Sequence, residues 1–298
     1  MGTAAGGGFP QWNCWCPGCA TVRQDARAAW PRTQSSAAIS ADGRHWFLLN
    51  ASPDVREQLG RLASPAPDRA IRRVPIEGVL LTDGELDHSL GLALLREARL
   101  LPLYTTSSIA TVLDRDSRIL AVTRAFSEVP LTELPLDEVV ELRHRDGTAS
   151  GLSVEAFPVQ GDPPMFAPEA AEGHTVGLHV RDRLSNHACI FVPGCGALDA
   201  PLLARLATAD ILLFDGTFWS DRELIDLGIS DRTARELDHL PIGGPDGSLQ
   251  HLAALPCRHR VYTHINNTNP VLLEDSPERR AVSDAGLIVG FDGLSISL

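Results

Sequence analysis

The chain has 298 residues, 44% of them hydrophobic, enough to bury a large core as one α/β domain or two smaller ones. A formal net charge of −12 argues against a nucleic-acid partner, because phosphate binding needs a basic face, although a local patch could still attract a small acidic substrate. No apolar stretch nears the length that spans a bilayer, and residues 1–8 lack the basic and apolar parts of a secretory signal, so a cytoplasmic protein with no membrane partner is expected.

Cys14, Cys16 and Cys19 come first, in Cys-Trp-Cys-Pro-Gly-Cys. Disulfides between such near neighbours would be strained, and a reducing compartment would keep them as thiols. Three thiolates around a Pro-Gly turn suit tetrahedral zinc with a fourth ligand from elsewhere. The competing reading is redox chemistry, because Cys16 and Cys19 have Cys-x-x-Cys spacing. The third thiol, and the lack of a thioredoxin-like strand ahead of it, favour metal. Cys189, Cys195 and Cys257 are scattered in apolar surroundings and read as packing thiols.

Residues 46–49 read as a strand after the Asp42-Gly43 turn, and 63–67 as a Pro/Ser/Ala loop before a short helix. Arg69, Arg72, Arg73, Arg279 and Arg280 read as solvated surface. Val79-Leu80-Leu81 reads as a buried strand stopping at Thr82-Asp83-Gly84-Glu85-Leu86-Asp87-His88, with a helix beyond. Helical spacing runs over 107–122, strands over 154–159, 176–180 and 189–192, and a helix over 202–207. An apolar strand at 211–214 ends in Asp215-Gly216-Thr217, and one at 260–263 ends in His264-Ile265-Asn266-Asn267-Thr268-Asn269-Pro270. Alternating apolar residues close the chain over 286–297. Pattern alone supports mixed α and β and no internal repeat.

Asp83, Glu85 and Asp87 alternate, and side chains two apart project the same way from an extended backbone. The competing reading is an acidic first helical turn favoured by the helix dipole. His264, at a second strand end, tips the balance towards a site. Asp87, His88 and His264 make a two-histidine, one-carboxylate set, which occupies one face of a metal and leaves positions open. His174 is a candidate for substrate contact. His45, His144, His179, His187, His251 and His259 are isolated and read as structural.

The chain resembles the metallo-β-lactamase superfamily, whose signature at this turn is His-x-His-x-Asp-His; the matching residues here are Asp83, Glu85, Asp87 and His88. Within it, the chain is similar to the PqqB family of pyrroloquinoline quinone (PQQ) biosynthesis, on 4–14, 32–36, 50–54 and 264–277. The resemblance implies an α/β fold, the metallo-β-lactamase-like four-layered αββα sandwich. It also implies a single domain over 1–298 with an N-terminal Cys-x-Cys-x-x-Cys zinc loop. Members of the family usually carry a short strand before the Gly-rich block, so that strand is expected to be missing here through a misassigned start.

Departures from the superfamily pattern bear on mechanism. Its two-zinc hydrolases have histidines at the first two motif positions, where Asp83 and Glu85 stand here. Their third histidine has no counterpart near 157–160, nor their bridging aspartate near 191–195. One catalytic divalent metal on Asp87, His88 and His264 is therefore expected, with Fe2+ favoured over Zn2+ or Mn2+. Asp83 and Glu85 would then orient the imidazoles or take a phenolic proton. The family link implies oxidation of tyrosine in a Glu-Tyr-derived PQQ precursor, with other PQQ-pathway proteins as possible partners. Two alternatives are a binding protein that carries PQQ or its precursor towards the periplasm, and a zinc hydrolase. For the cysteine zinc, phosphodiesterase relatives point to His239, in a polar turn before the loop 241–247, as the fourth ligand; the rival role for His239 is proton relay at the active centre.

Overall fold

The computed structural model describes residues 1–25, 27–62, 74–169 and 171–298. The expected loop at 63–67 and the arginines Arg69, Arg72 and Arg73 lie outside them. The described residues pack as two compact units assembled from interleaved segments, the first Met1, Ser36–Pro158 and Pro163–His187, the second Gly2–Ser35, Val159–Asp162 and Ala188–Leu298. No helix among the described residues is long and apolar enough to cross a membrane.

In the first unit, β1 (Ala37–Ile39) pairs antiparallel with β2 (Trp46–Leu49), and β3 (Ile76–Leu80), β4 (Leu103–Thr105) and β5 (Leu131–Glu133) follow in parallel. Every residue of β3 is buried, Glu77 included, and the strand expected from Val79-Leu80-Leu81 begins three residues earlier, at Ile76. The same unit holds the antiparallel strands β6 (Val139–Arg143), β7 (Ala149–Pro158) and β8 (Val176–Asp182). The chain leaves β3 through Thr82, whose backbone N–H donates to Asn50 Oδ1 at 2.9 Å while Asn50 Nδ2 donates to Thr82 Oγ1 at 2.8 Å. That clasp fixes where the acidic motif begins. The helix expected over 107–122 is in three pieces: a helix at Ser107–Thr111, a wider turn at Val112–Asp116 and a helix at Ile119–Arg124. Arg118 breaks the run by adopting φ 61°, outside right-handed helical space.

In the second unit, β9 (Ala188–Val192), β10 (Ile211–Asp215), β11 (His259–Thr263) and β12 (Ile288–Val289) run parallel. Asp215 is in register with Thr263, so the ends of β10 and β11 lie side by side. Polar residues outside the carboxyl ends of parallel strands are where α/β folds bind ligands. The alternation over 286–297 yields only the two-residue β12. Gly290 passes close under Tyr262, where an added Cβ would lie 2.6 Å from the Tyr262 carbonyl oxygen. Asp292 then turns in to accept hydrogen bonds from Thr3 and Thr33 instead of continuing the ladder.

Candidate metal centre and cysteine site

Beyond β3 the motif folds as expected for a strand-to-helix turn, with short helices at Leu86–Ser89 and Gly91–Leu94. Asp83 and His88 are both buried, and the two carboxylate oxygens of Asp83 lie 2.9 and 2.7 Å from His88 Nδ1. Thr82 Oγ1 donates to Asp83 at 2.8 Å, and the Glu85 backbone N–H donates to it at 3.0 Å. Burial alone would raise the Asp83 carboxyl, but the charge and hydrogen bond of His88 outweigh it and hold it below the usual carboxylate range. Burial disfavours the charged His88 imidazole, yet Asp83 and Asp87 outweigh that and push it up to about 9. Metal on this imidazole must displace a proton, so binding is linked to pH. Asp83 engages Nδ1, the arrangement that in the carboxylate–histidine pairs of metalloproteins leaves Nε2 to a ligand. Asp87 is half-buried, with Oδ2 3.8 Å from His88 Nε2. Glu85 is at an exposed position, yet desolvation of its carboxyl and repulsion from Asp83 and Asp87 push it up to about 7.

In the second unit, Asp215, His239 and His264 offer ligand atoms within 4.8 Å of one another. His264 follows β11 at φ 54°, a left-handed conformation rare for a residue with a side chain. Its Nδ1 lies 2.8 Å from Thr217 Oγ1, which in turn donates to Asp215 Oδ1 at 2.6 Å. Asp215 also accepts from the backbone N–H of Thr217 at 3.0 Å and of Cys195 at 2.9 Å, and contacts His239 Nδ1 at 2.7 Å. Both its oxygens are thereby committed within the protein. Asp215 orients His239 directly and His264 through Thr217. Its carboxyl stays below the ordinary range because the charge and hydrogen bond of His239 outweigh burial. The His239 and His264 rings stack at 5.4 Å between centroids.

The cysteine Sγ atoms of Cys14, Cys16 and Cys19 also lie within 4.8 Å of one another. Burial raises Cys14, but hydrogen bonds from the Cys16 backbone and from the Cys16, Cys19 and Asn267 side chains outweigh it and leave it below its ordinary value; burial pushes Cys16 up to about 12. The side chain facing the three sulfurs is Asn267, with Nδ2 at 3.1, 3.5 and 3.4 Å from Cys14, Cys16 and Cys19. The expectation that His239 closes this site is corrected: His239 stands against Asp215 and His264. Its segment is tied to the strand ends by Leu240 N–H donating to Cys195 O at 2.7 Å and His239 N–H to Ala234 O at 3.0 Å. Half-buried His174 donates from Nδ1 to the Ala171 carbonyl at 2.9 Å.

Sequence reasoning assigned no role to Asp215, Thr217 or Asn267. Asp215 carried a usable signal, since it ends an apolar strand as Asp83 follows one. Asn267 carried none, because amide residues are common in loops.

A model of the β-lactamase superfamily domain matches residues 45–265. The coenzyme PQQ synthesis protein B of Gluconacetobacter diazotrophicus is 43% identical over 304 residues, covering 100% of this chain and 98% of the relative. That of Methylobacterium nodulans is 43% identical over 306 residues, with the same coverage. The chain belongs to the coenzyme PQQ synthesis protein B family. The crystal structure of Zn(2+)-bound PqqB from Methylobacterium extorquens superposes with a TM-score of 0.90 at 41% identity, covering 100% of this chain and 98% of that one. A diphosphatase of the PhnP family, at TM-score 0.67 and 20% identity over 100% of this chain and 95% of that one, shares the fold. Like its family, the chain has the metallo-β-lactamase fold, mixed α/β with two sheets, in line with the αββα expectation.

Proposed function

We propose that this protein acts in PQQ biosynthesis as a mononuclear non-haem iron hydroxylase of the tyrosine in a Glu-Tyr-derived precursor. Asp87, His88 and His264 would hold the ion. The observation that carries this reading is the state of the two imidazoles: each has Nδ1 engaged within its own unit, His88 by Asp83 and His264 by Thr217, which directs Nε2 to a metal. Two such imidazoles with one carboxylate fit ferrous iron with open positions. Bound there, iron would supply dioxygen binding beside an aromatic substrate. Overall, one oxygen atom enters the ring and the other leaves as water, with two electrons and two protons from an external reductant.

The chain's own residues orient and move protons. Asp83 holds the His88 ring, and Asp215 holds the His239 ring so that Nε2 can carry a proton to or from the phenol. Glu85, pushed up to about 7, is suited to exchange a proton near neutrality. The cysteines would bind a separate structural zinc.

The test is anaerobic loading with Fe2+, then addition of dioxygen, a reductant and a Glu-Tyr dipeptide. Product heavier by one oxygen atom supports the reading, with loss of activity and open-site metal in His88→Ala and His264→Ala. Tight binding without turnover would establish a carrier instead, and ester or phosphodiester cleavage by the zinc form would establish a hydrolase.

A further inference from the structure

We propose that Asn267 closes the cysteine site as its fourth ligand, through the side-chain oxygen, and so anchors the loop that presents His264. The proposal rests on the zinc reading of the cysteine site and is independent of the iron reading.

Three thiolates leave one tetrahedral position, and a structural zinc site is closed. With Zn–S of about 2.3 Å and Zn–O of about 2.1 Å at the tetrahedral angle, a fourth oxygen ligand lies about 3.6 Å from each sulfur. The terminal amide atom of Asn267 sits 3.1, 3.5 and 3.4 Å from the three sulfurs, close to that position for all of them at once. With thiols alone the NH2 group faces the sulfurs as donor; a half-turn of the amide about χ2 puts Oδ1 in the same place, facing a cation.

The side chain cannot easily go elsewhere. Asn267 is 4% exposed, and its backbone carbonyl accepts from Cys16 Sγ at 3.4 Å while Cys16 is a thiol. Asn266 N–H donates to Thr217 O at 3.0 Å, Thr268 Oγ1 donates to Glu223 at 2.5 Å, and Asn269 Nδ2 donates to Gly216 O at 3.0 Å. Gly18, inside the helix Pro17–Gln24 that carries Cys19, passes so near that an added Cβ would lie 3.1 Å from Asn267 O. The cysteine helix and the loop are thus packed backbone to backbone. His264 is three residues before Asn267, so a ligand bond at Asn267 restrains the left-handed backbone that aims the imidazole.

The experiment measures zinc per chain and zinc affinity by chelator competition in the wild type, Asn267→Ala and Asn267→Asp, with Co2+ absorption reporting thiolate coordination. The wild type should hold zinc at the cysteines. Asn267→Ala should lose affinity by more than the ~10–100-fold expected for a residue that merely supports a ligand. Asn267→Asp keeps an oxygen and should retain the metal, with a tetrahedral Co2+ spectrum. If Asn267→Ala fails to fold, retention in Asn267→Asp still supports the proposal. Wild-type affinity in Asn267→Ala would overturn it, as would loss of metal in Asn267→Asp, the behaviour of a hydrogen-bond donor whose replacement repels three thiolates. A wild type with no metal at the cysteines would instead remove the zinc reading itself.

Discussion

The Asp215 carboxylate meets the His239 imidazole at 2.7 Å, Oδ2 to Nδ1, and through its other oxygen reaches Thr217 Oγ1, the partner of His264 Nδ1. One buried carboxylate therefore sets the orientation of both His239 and His264. Because the anion favours the N–H tautomer at each Nδ1, both Nε2 atoms are left as bases or ligands.

His239→Gln is expected to leave the cysteine zinc in place and to lower turnover by ~10²–10⁴-fold, the usual contribution of a positioned acid–base group. Metal analysis and a single-turnover assay on the same preparation check this. Zinc release from the cysteines would return His239 to the role of fourth ligand.

Asp83→Asn should keep the open-site metal but weaken its binding or slow turnover by ~10–100-fold, since the amide still accepts from His88 without the charge that steadies it. The His88 imidazole, now pushed up to about 9, should move down towards its ordinary value in the metal-free variant, which an NMR titration reads. Complete loss of metal would make Asp83 itself a ligand.

Gly91→Ala should destabilise the protein by at least ~1–3 kcal/mol, the usual cost of overpacking. An added Cβ would lie 2.3 Å from Ser52 O and 2.5 Å from Ala51 O, and backbone cannot swing aside as a side-chain tip does. The same segment receives Gly91 N–H at Ala51 O, 2.8 Å, and donates Ala51 N–H to His88 O, 2.7 Å. Weakened open-site metal binding should therefore accompany the lower melting temperature. An unchanged melting temperature would contradict this packing.

Glu223 supplies a pH dependence. Burial pushes its carboxyl up to about 7, although Thr268 and the Trp219 backbone N–H donate to it. An unfolded chain loses this proton near pH ~4.3. Between the two values the native state binds more protons than the unfolded one, so this group makes stability fall as pH rises from about 4.3 to about 7 and level off above. Glu223→Gln, which keeps an acceptor and a donor, should remove that slope. Chemical denaturation at several pH values measures it, and an unaltered slope in the variant would assign the dependence to another group.

The sequence by itself determined the strands and the turn they feed. β9, β10 and the Val79-Leu80 end of β3 are legible because largely buried strands draw on apolar runs, and the Asp83–His88 motif is legible because polar residues crowd where such a run stops. The three cysteines pointed to a candidate metal site through spacing alone, a local property. The partners that complete each site were decided only by tertiary structure. Parallel pairing in register brings Asp215 beside Thr263, and a left-handed backbone at His264 turns that ring towards Thr217, relations between residues 47 or more apart in the chain. Asn267 reaches Cys14 across 253 residues. His239 had chemistry suited to either site, and sequence favoured the cysteines; its backbone, anchored at Ala234 and Cys195, places the ring against Asp215 and His264.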